Sequence, residues 1–447
     1  MGTETALQTV VSFRPICGDL TGYVGLPTVQ QIVGIAGKGI ADSSDPLVLE
    51  RIHSAAMSYV GDLESLRRFA INGSHKAARA KVNHILNSFH ARASAALLGL
   101  KKGSVIGTWS DLSALAFQMD CRRPSGEPVK AWAKDKSSGE WRPICEFGPI
   151  GRSCQRLVLD LLRAWMGDSP FEYARKGRGR DRAINAILGS IRNGGARWFI
   201  TADIRDFYRN IRPEGLRGII PLPASVTRNV ISVPLENPIL SGSDNPITLQ
   251  TAAREGIPQG SLASPFIAAK VVEAVLQSLH CRITVSYVDN LCLGFKTECE
   301  AKTILHALVQ ALTEHPAGPL LLKGDVAIFE LGKPNDFLGY RISRRWPSDG
   351  GYAYAHPSPA AFEKMTLKLR ATLEDVEDDD ALLQVATAYV AAWLAAQVAW
   401  ERNTYSNSLV MDIADREAAD EHSRRHPYFP QSPKSVEELL AKLKKAH

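Results

Sequence analysis

The chain has 447 residues, a formal net charge of +6 and a hydrophobic fraction of 45%. These values are those of an ordinary globular protein with two or three domains, and they argue against wholesale disorder. The seven cysteines include no Cys-x2-Cys pair, which argues against a zinc site or a disulfide framework. Because the sequence shows no signal-peptide pattern and no apolar run long enough to cross a bilayer, we expect a soluble cytoplasmic protein with no membrane partner.

Positive charge is concentrated in one part of the chain. Residues 51–200 carry 25 Lys or Arg against 12 Asp or Glu, which gives this stretch a local charge of +13. A protein that binds a polyanion needs such a surface. A solvated basic face explains the same charge equally well.

The first 110 residues are predicted to be helical. Three helix starts are marked by N-cap residues, which are Asp45 before Pro46, Ser74, and Thr108 in a Thr-x-x-Asp capping box. The helix after Ser74 is predicted to run over residues 75–100, with cations among apolar residues. It either follows a nucleic-acid backbone or packs on the neighbouring domain with its cations in water.

A β-hairpin is predicted over residues 129–147, with its turn within 134–142. Residues 171–180 then read Phe-Glu-Tyr-Ala-Arg-Lys-Gly-Arg-Gly-Arg, and a helix is predicted over 181–191. Glycines let a backbone approach a phosphate or ribose, and the four cations supply a positive field. Arg-Gly runs are also common in solvated loops, so a functional interpretation depends on the position of this segment.

A hydrophobic strand leads from Trp198 into Asp203, and the aromatic pair Phe207-Tyr208 follows. The next stretch, residues 213–250, is rich in Pro, Gly and Ser and has only short apolar runs. We expect an inserted loop or small hairpin on the protein surface there.

A glycine-punctuated loop at 256–265 precedes an apolar helix predicted over 264–276. Ser-Tyr-Val-Asp-Asn at 286–290 follows within an alternating apolar run, which predicts two strands joined by a tight Asp-Asn turn. A carboxylate at a rigid hairpin tip suits a hard divalent cation, but Asp289 cannot hold Mg²⁺ alone. We expect Asp203 to be its partner.

The last third of the chain is predicted to be mostly helical. A helix over 298–312 is followed by a strand over 326–330, and helices resume at residue 358. Residues 389–400 are apolar nearly all round, which indicates a buried helix or, alternatively, an oligomer interface. The tail at 435–447 alternates Glu and Lys at helical spacing, which predicts an exposed helix.

Three motifs in this order, Asp-x4-Tyr, Pro-Gln-Gly-x3-Ser-Pro and Tyr-x-Asp-Asn, resemble motifs A, B and C of reverse transcriptases. The sequence Phe-Leu-Gly-Tyr at 337–340 stands in the place of the primer-grip motif, and the resemblance covers residues 129–345. It implies an α+β right-hand polymerase fold with fingers, a palm with an antiparallel sheet and a helical thumb, after a helical N-terminal extension. The implied domains are 1–110 (extension), 111–197 (fingers), 198–345 (palm, with the insertion at 213–250) and 346–447 (thumb and tail).

The resemblance also implies a reaction and a cofactor. In this family two Mg²⁺ ions, or Mn²⁺ in their place, assist the transfer of a dNTP to a 3′-oxygen, and their ligands would be Asp203, Asp289 and the backbone carbonyl of Ile204. Tyr208 would be the steric gate against ribonucleotides. Lys323 would protonate the departing pyrophosphate, with Lys333 as the alternative.

The other implied residues bind substrate, primer or nucleic acid. The triphosphate would be held by Lys136 and Arg142, with Lys130 and Lys134 as rivals, and the nucleotide pocket would be lined by Gln259 and Gly260. The primer end would be positioned by Phe337, Leu338 and Gly339. Nucleic acid would be bound by Arg175, Lys176, Arg178 and Arg180. The segment at 213–250 either governs the choice of template or partner or is a tolerated insertion.

Asn290 departs from the family pattern, because most reverse transcriptases have a second Asp there. Asn keeps an oxygen ligand but gives up one negative charge. We therefore expect activity with weaker metal affinity or a preference for Mn²⁺. The alternative is a degenerate polymerase that serves as a nucleic-acid-binding scaffold, against which the intact Asp203, Tyr208, Gln259 and Asp289 argue.

Within the reverse transcriptases, the chain is most similar to the bacterial defence-associated and abortive-infection group. Its motif B loop is unlike that of the diversity-generating type, no endonuclease or maturase-like domain is seen after the thumb, and the Val-Thr-Gly of retron enzymes is absent. We therefore expect DNA synthesis in antiphage defence, with dNTPs, an RNA template, a DNA product and either a cognate noncoding RNA, an accessory protein or a homo-oligomer as partners. Some members of this group use a protein hydroxyl as primer or need no conventional template, and Tyr405 and Ser406 are candidate primers.

Overall fold

The computed structural model describes residues 25–101, 103–135, 139–241, 246–324, 326–331, 333, 335–345, 352–400 and 404–425. The chain divides into two compact units. The first unit comprises Met1–Glu172, Ile204–Leu279 and His306–Lys323, and the second comprises Tyr173–Asp203, His280–Leu305 and Gly324–His447. The division into extension, fingers, palm and thumb at residues 110, 197 and 345 stays a prediction.

The described chain forms helices and strands in the following order. The helices are α1 (Val29–Gly39), α2 (Pro46–Ile71), α3 (His75–Asn87), α4 (Phe89–Gly99), α5 (Trp109–Gln118), α6 (Pro149–Met166), α7 (Arg180–Gly194), α8 (Phe207–Asn210), α9 (Ala224–Val226), α10 (Pro246–Arg254), α11 (Ser264–Leu276), α12 (Glu298–Thr313), α13 (Pro359–Glu374), α14 (Leu382–Ala395) and α15 (Thr404–Arg425). The strands are β1 (Val129–Asp135), β2 (Trp141–Glu146), β3 (Trp198–Asp203), β4 (Ile239–Ser241), β5 (Ile283–Tyr287), β6 (Asn290–Phe295), β7 (Ala327–Glu330), β8 (Asn335–Phe337), β9 (Tyr340–Arg345) and β10 (Tyr352–Pro357). No helix among the described residues is long and apolar enough to cross a membrane.

The N-terminal helices begin where their capping residues predict. The Asp45 carboxylate accepts a hydrogen bond from the Leu47 amide, and Thr108 and Asp111 form a reciprocal capping box at the start of α5. The prediction of one helix over 75–100 is wrong, because the backbone turns to an extended conformation at Ser88. The Ser88 hydroxyl accepts from the Ala91 amide and starts a second helix, α4.

The first unit contains a three-stranded sheet with the order β2-β1-β4. The hairpin of β1 and β2 is antiparallel, as predicted, and β4 pairs parallel to β1 with Ile239 opposite Val129. The expectation of a loop or hairpin for residues 213–250 is therefore wrong for this part of the segment. Leu240 of this strand is exposed, whereas Ile239 is buried and packs with Val129, Cys145 and Leu249 in one hydrophobic cluster.

The second unit is built on an antiparallel sheet with the order β5-β6-β3-β7, in which β3 pairs with both β6 and β7. This is the antiparallel palm sheet that the sequence predicts. Phe199 of β3 and Val285 of β5 are buried against Ile184 and Ile187 of α7, in the hydrophobic core of this unit. Because β3 and β6 are antiparallel neighbours, the end of β3 lies beside the start of β6.

The rest of the second unit is an antiparallel meander of β8, β9 and β10 followed by helices α13, α14 and α15. The prediction of a helix buried all round over 389–400 is wrong, because α14 ends at Ala395 and buries one face only. The buried face consists of Leu382, Ala386, Val390 and Leu394. The alanines between them are small enough to lie at the surface with little exposed apolar area.

Candidate active site

The hairpin of β5 and β6 carries the first carboxylate of the candidate site. Tyr287 is the register partner of Asn290, so the two-residue loop is Val288-Asp289 and not the predicted Asp-Asn turn. Val288 has a φ of 60°, a left-handed conformation that is rare for a β-branched residue and is typical of strained functional sites. The turn places Asp289 at the tip of the hairpin.

The second carboxylate lies on the neighbouring strand. Asp203 is the last residue of β3, and the register of β3 with β6 sets it directly opposite Asn290. Facing residues in an antiparallel pair lie within about 4.5–5.5 Å of each other. The pairing therefore brings Asp203 to the residue that follows Asp289, as the sequence predicts.

Asn290 points its amide at the carboxylate of Asp289. Its Nδ2 donates a hydrogen bond to Oδ1 of Asp289 over 3.0 Å. The sequence predicts an oxygen ligand at this position, but the structure places the amide nitrogen on the Asp289 side. An amide nitrogen is a donor only and cannot coordinate a cation.

The donor set fits a hard divalent cation. Among the residues that the structure describes, no group of three His, Cys, Asp or Glu side chains is gathered in a way that could hold a metal ion. Asp203 and Asp289 alone suit Mg²⁺, which proteins commonly bind through one or two carboxylates while water and substrate phosphates complete its octahedron. Ile204, the predicted carbonyl ligand, has a buried side chain, and its role stays a prediction.

The residues predicted to line the nucleotide pocket, Gln259 and Gly260, belong to the first unit and lie beside the edge strand β2. The Cys145 amide donates to the carbonyl of Gln259 over 2.7 Å. Gly260 has a φ of 108°, and a Cβ atom there would lie 2.1 Å from the Cys145 carbonyl oxygen. Only glycine allows the loop to approach the strand this closely.

Tyr208 is joined to the same loop. Its carbonyl accepts a hydrogen bond from the Ile257 amide over 2.9 Å, and a Cβ atom on Gly256 would lie 2.2 Å from that carbonyl oxygen. The ring of Tyr208 is half-buried and meets Phe207 edge to face. The structure thus brings the predicted gate residue, the loop containing Gln259 and the strand containing Arg142 into one backbone network.

The register of the hairpin of β1 and β2 determines which residue faces each of its cations. Lys134 is directly opposite Arg142, and both side chains are exposed. Lys130 is opposite Glu146, which forms an ion pair with Lys101. Lys136 lies outside the described residues. Two like charges in facing positions destabilise a hairpin unless an anion lies between them. The choice among Lys136, Lys134 and Lys130 as the partner of Arg142 stays a prediction.

Lys323 is held next to motif A. Leu322 forms a β-bridge with Ile204, and the Arg205 amide donates to the Leu321 carbonyl over 2.8 Å. These contacts place Lys323 one residue beyond the bridge, in the same unit as Tyr208. Lys333, the alternative, is exposed beside the end of β7.

The Arg- and Gly-bearing segment contacts the hairpin strand β5, because the Tyr173 amide donates to the Ser286 carbonyl over 2.8 Å. Arg178 stacks on the Tyr173 ring, and Lys176 is exposed. Arg180 stacks on Tyr340 and donates to the Ala396 carbonyl and the Gln397 side chain. The Arg180 guanidinium is therefore engaged within the protein, which weakens its predicted role in nucleic-acid binding.

The predicted primer grip is the tight turn between β8 and β9. Leu338 and Gly339 both have positive φ, at 52° and 79°, and Phe337 is buried in the core of the unit. A primer could therefore meet the backbone or Leu338 at this turn but not the Phe337 ring. Tyr340 after the turn donates to Asp181 of α7, which fixes the base of the turn.

Two buried thiols lie near these elements. Burial raises the pKa of Cys145 to about 12, and it raises the pKa of Cys292 in β6 well above its ordinary range. Both groups stay neutral at physiological pH, so neither acts as a thiolate nucleophile.

Sequence reasoning missed three features of the site. These are the strained Val288, the contact of Tyr173 with β5 and the facing positions of Lys134 and Arg142. Only the last had a usable signal, because a hairpin centred on the Ser-Ser-Gly turn sets these two cations opposite each other.

The described residues form an α+β right-hand polymerase fold, with two carboxylates where neighbouring palm strands meet. Residues 133–318 match the family model described as reverse transcriptase (RNA-dependent DNA polymerase). This part of the chain is therefore similar to RNA-directed DNA polymerases, which are nucleotidyltransferases. Enzymes of this family generally use divalent metal ions.

A solved structure of apo telomerase from Candida tropicalis, truncated from the C-terminal domain, is similar to this chain. The similarity covers 49% of this chain and 54% of that chain, with 13% sequence identity and a TM-score of 0.35. The chain therefore spans about half the length of the telomerase chain that it matches. No curated protein sequence matches it.

Proposed function

We propose that this protein synthesises DNA from dNTPs on an RNA template by two-metal nucleotidyl transfer, and that it does so in bacterial antiphage defence. The observation that carries the proposal is the register of β3 with β6, which sets Asp203 opposite Asn290 and beside Asp289. Two carboxylates from adjacent strands, one on a strained turn, form the arrangement that a metal-dependent polymerase requires.

Asp203 and Asp289 would hold the metal ions, with the Ile204 carbonyl as a further ligand. When bound, divalent ions stabilise the attacking and leaving oxygens of an in-line transfer. The chain's own contribution is to hold both carboxylates in place before substrate arrives. The antiparallel pairing fixes the backbone of Asp203 and of Asn290, and Asp289 is confined between Val288 and β6.

The nucleotide would be bound by residues of the first unit. Arg142 and Lys134 would hold the triphosphate with charge-assisted hydrogen bonds, and Gln259 and Gly260 would line the pocket beside β2. The ring of Tyr208 would meet the sugar and exclude a 2′-hydroxyl. Lys323 would donate a proton to the departing pyrophosphate, which its position next to the Leu322 bridge supports.

The experiment is incorporation of labelled dNTPs by the purified full chain on an RNA template with a DNA primer, with Mg²⁺ or Mn²⁺. Asp203→Ala and Asp289→Ala should each lose incorporation at least about 10²-fold, since each removes a charge at the reacting centre. Asp336→Ala is the matched control, because Asp336 lies in the same unit and only pairs with Arg341 at the surface. No incorporation by the wild-type chain on any template would contradict the proposal and favour a nucleic-acid-binding scaffold.

Analysis of the products separates two modes of priming. Products whose mobility changes after protease treatment are attached to protein, whereas products that need the added primer and respond only to nuclease are not. Incorporation that continues without primer and template would support the protein-primed alternative. The defence role is tested separately by phage plaque counts on cells that express the wild-type chain or Asp289→Ala. Equal plaque counts would contradict the defence role and would leave the proposed polymerase activity unaffected.

A further inference from the structure

Asn290 is fixed in the middle of the palm sheet. As the first residue of β6, it pairs with Tyr287 of β5 on one side and with Asp203 of β3 on the other. A residue held from both sides has little freedom to turn its backbone. Its side chain therefore has a defined direction, and that direction is toward Asp289.

We infer that Asn290 is a positioning residue, which holds the metal-binding carboxylate of Asp289 by a hydrogen bond instead of serving as a third metal ligand. The inference rests on the proposed function. Nδ2 of Asn290 lies 3.0 Å from Oδ1 of Asp289, a normal distance for an amide that donates to a carboxylate. Each carboxylate oxygen has two lone pairs, so this bond leaves acceptor positions on Asp289 for a cation.

The amide also supplies a donor that an Asp at this position would lack. An Asp carboxylate at position 290 would replace the N–H donor by a second acceptor beside Asp289, so this hydrogen bond would be lost. The neutral amide keeps Asp289 oriented while no metal is bound. The chain thereby exchanges one unit of negative charge, and some metal affinity, for a site that is ordered before the metal arrives.

The first test is a double-mutant cycle on thermal unfolding, with the full chain in EDTA. Asn290→Asp should lower Tm by about 2–4 °C, because a loss of about 1 kcal/mol shifts Tm by this amount in a domain of about 150–250 residues, the size range of the second unit. Asp289→Asn combined with Asn290→Asp restores one amide facing one carboxylate, and it should recover most of that loss. A wild-type Tm for Asn290→Asp, or a double variant no more stable than Asn290→Asp, would overturn the inference.

The second test is Mn²⁺ binding followed by electron paramagnetic resonance, without nucleotide or nucleic acid. Asn290→Ala should raise the Kd for Mn²⁺ by roughly 10–100-fold, the effect typical of a lost hydrogen-bond partner to a metal ligand, with unchanged stoichiometry. Asn290→Ser, which retains a short donor, should recover part of the affinity. Asn193→Ala, at an exposed residue near the end of α7, is the control and should bind like the wild type.

Two results of the second test would overturn the inference. An unchanged Kd in Asn290→Ala would show a purely structural residue, and loss of one bound ion per chain would show a direct ligand. Neither readout depends on catalysis. A wild-type chain that binds Mn²⁺ as expected but incorporates no dNTP would therefore refute the proposed polymerase function while leaving the role of Asn290 intact.

Discussion

Gly260→Ala tests whether the motif B loop is seated against the fingers strand. In the structure a Cβ atom at this position would lie 2.1 Å from the Cys145 carbonyl oxygen, and the glycine has a φ of 108°. The oxygen belongs to the backbone and the position of a Cβ is fixed by the backbone of residue 260, so no rotation of a side chain can relieve the clash. The loop has to withdraw from β2 by about 1 Å to reach van der Waals contact.

The cost of Gly260→Ala has two parts. A residue with a side chain in this conformation is destabilised by about 1–3 kcal/mol. Withdrawal of the loop also lengthens the bond between the Cys145 amide and the Gln259 carbonyl, now 2.7 Å, and its loss costs about 0.5–1.5 kcal/mol. The total of about 1.5–4.5 kcal/mol is below the stability of a typical protein, so we expect a folded chain with a displaced nucleotide pocket.

The assay combines urea unfolding with the KM for dNTP. Gly260→Ala should unfold at lower urea, and its KM should rise at least about tenfold, which corresponds to 1.4 kcal/mol of lost binding. Gly34→Ala is the control, because a Cβ atom there meets nothing within 4 Å and the residue lies within α1. Alanine should stabilise that helix by about 0.5–1 kcal/mol and leave KM unchanged. A Gly260→Ala variant as stable and as active as the wild type would refute the contact between the loop and β2.

Four further predictions use five other variants. Asp289→Ala should abolish incorporation in the labelled-dNTP assay, and retained activity would place the metal site elsewhere. Val288→Gly should raise Tm because glycine relieves a strain of about 1–3 kcal/mol, whereas a lower Tm would mean that the turn is unstrained. Burial lowers the pKa of His315 to about 4. The stability that depends on the neutral imidazole is therefore fully present above pH 6.5 and is lost as pH falls toward 4. In urea titrations between pH 7 and 4.5, the free energy of unfolding of the wild type should fall by roughly 2–3 kcal/mol more than that of His315→Asn. Lys134→Ala should raise the dNTP KM about tenfold and Lys130→Ala less than about threefold, and equal effects would contradict the assignment from the hairpin register.

Local sequence signals predicted much of the fold. The capping box at Thr108, the helix over Ser264–Leu276 and the strand that ends at Asp203 lie where the sequence places them, because each depends on nearest-neighbour hydrogen bonds or on a clear apolar period. The pairing of Asp203 with the hairpin containing Asp289 was also predictable, since a metal centre needs more than one carboxylate.

Features set by distant contacts were not predictable from the sequence. Strand β4 depends on its pairing with the edge of β1. Its three residues are too few to show the alternation of apolar and polar residues that predicts a strand. The exposed face of α14 looks apolar in sequence, but its alanines bury little area wherever they point. The direction of the Asn290 amide depends on which oxygen of Asp289 it can reach, and no local pattern contains that information.

The parallel pairing of β4 with β1 has a consequence for biosynthesis. Because Ile239 is opposite Val129, the sheet of β2, β1 and β4 cannot be completed until about 110 further residues have been translated, which takes on the order of 5–20 s. Through that interval the nascent chain presents an open strand edge, which is a site for aggregation or for capture by a chaperone. A fragment cut at residue 197 would keep this edge open permanently, so the fingers of this protein are not separable from the chain that follows motif A.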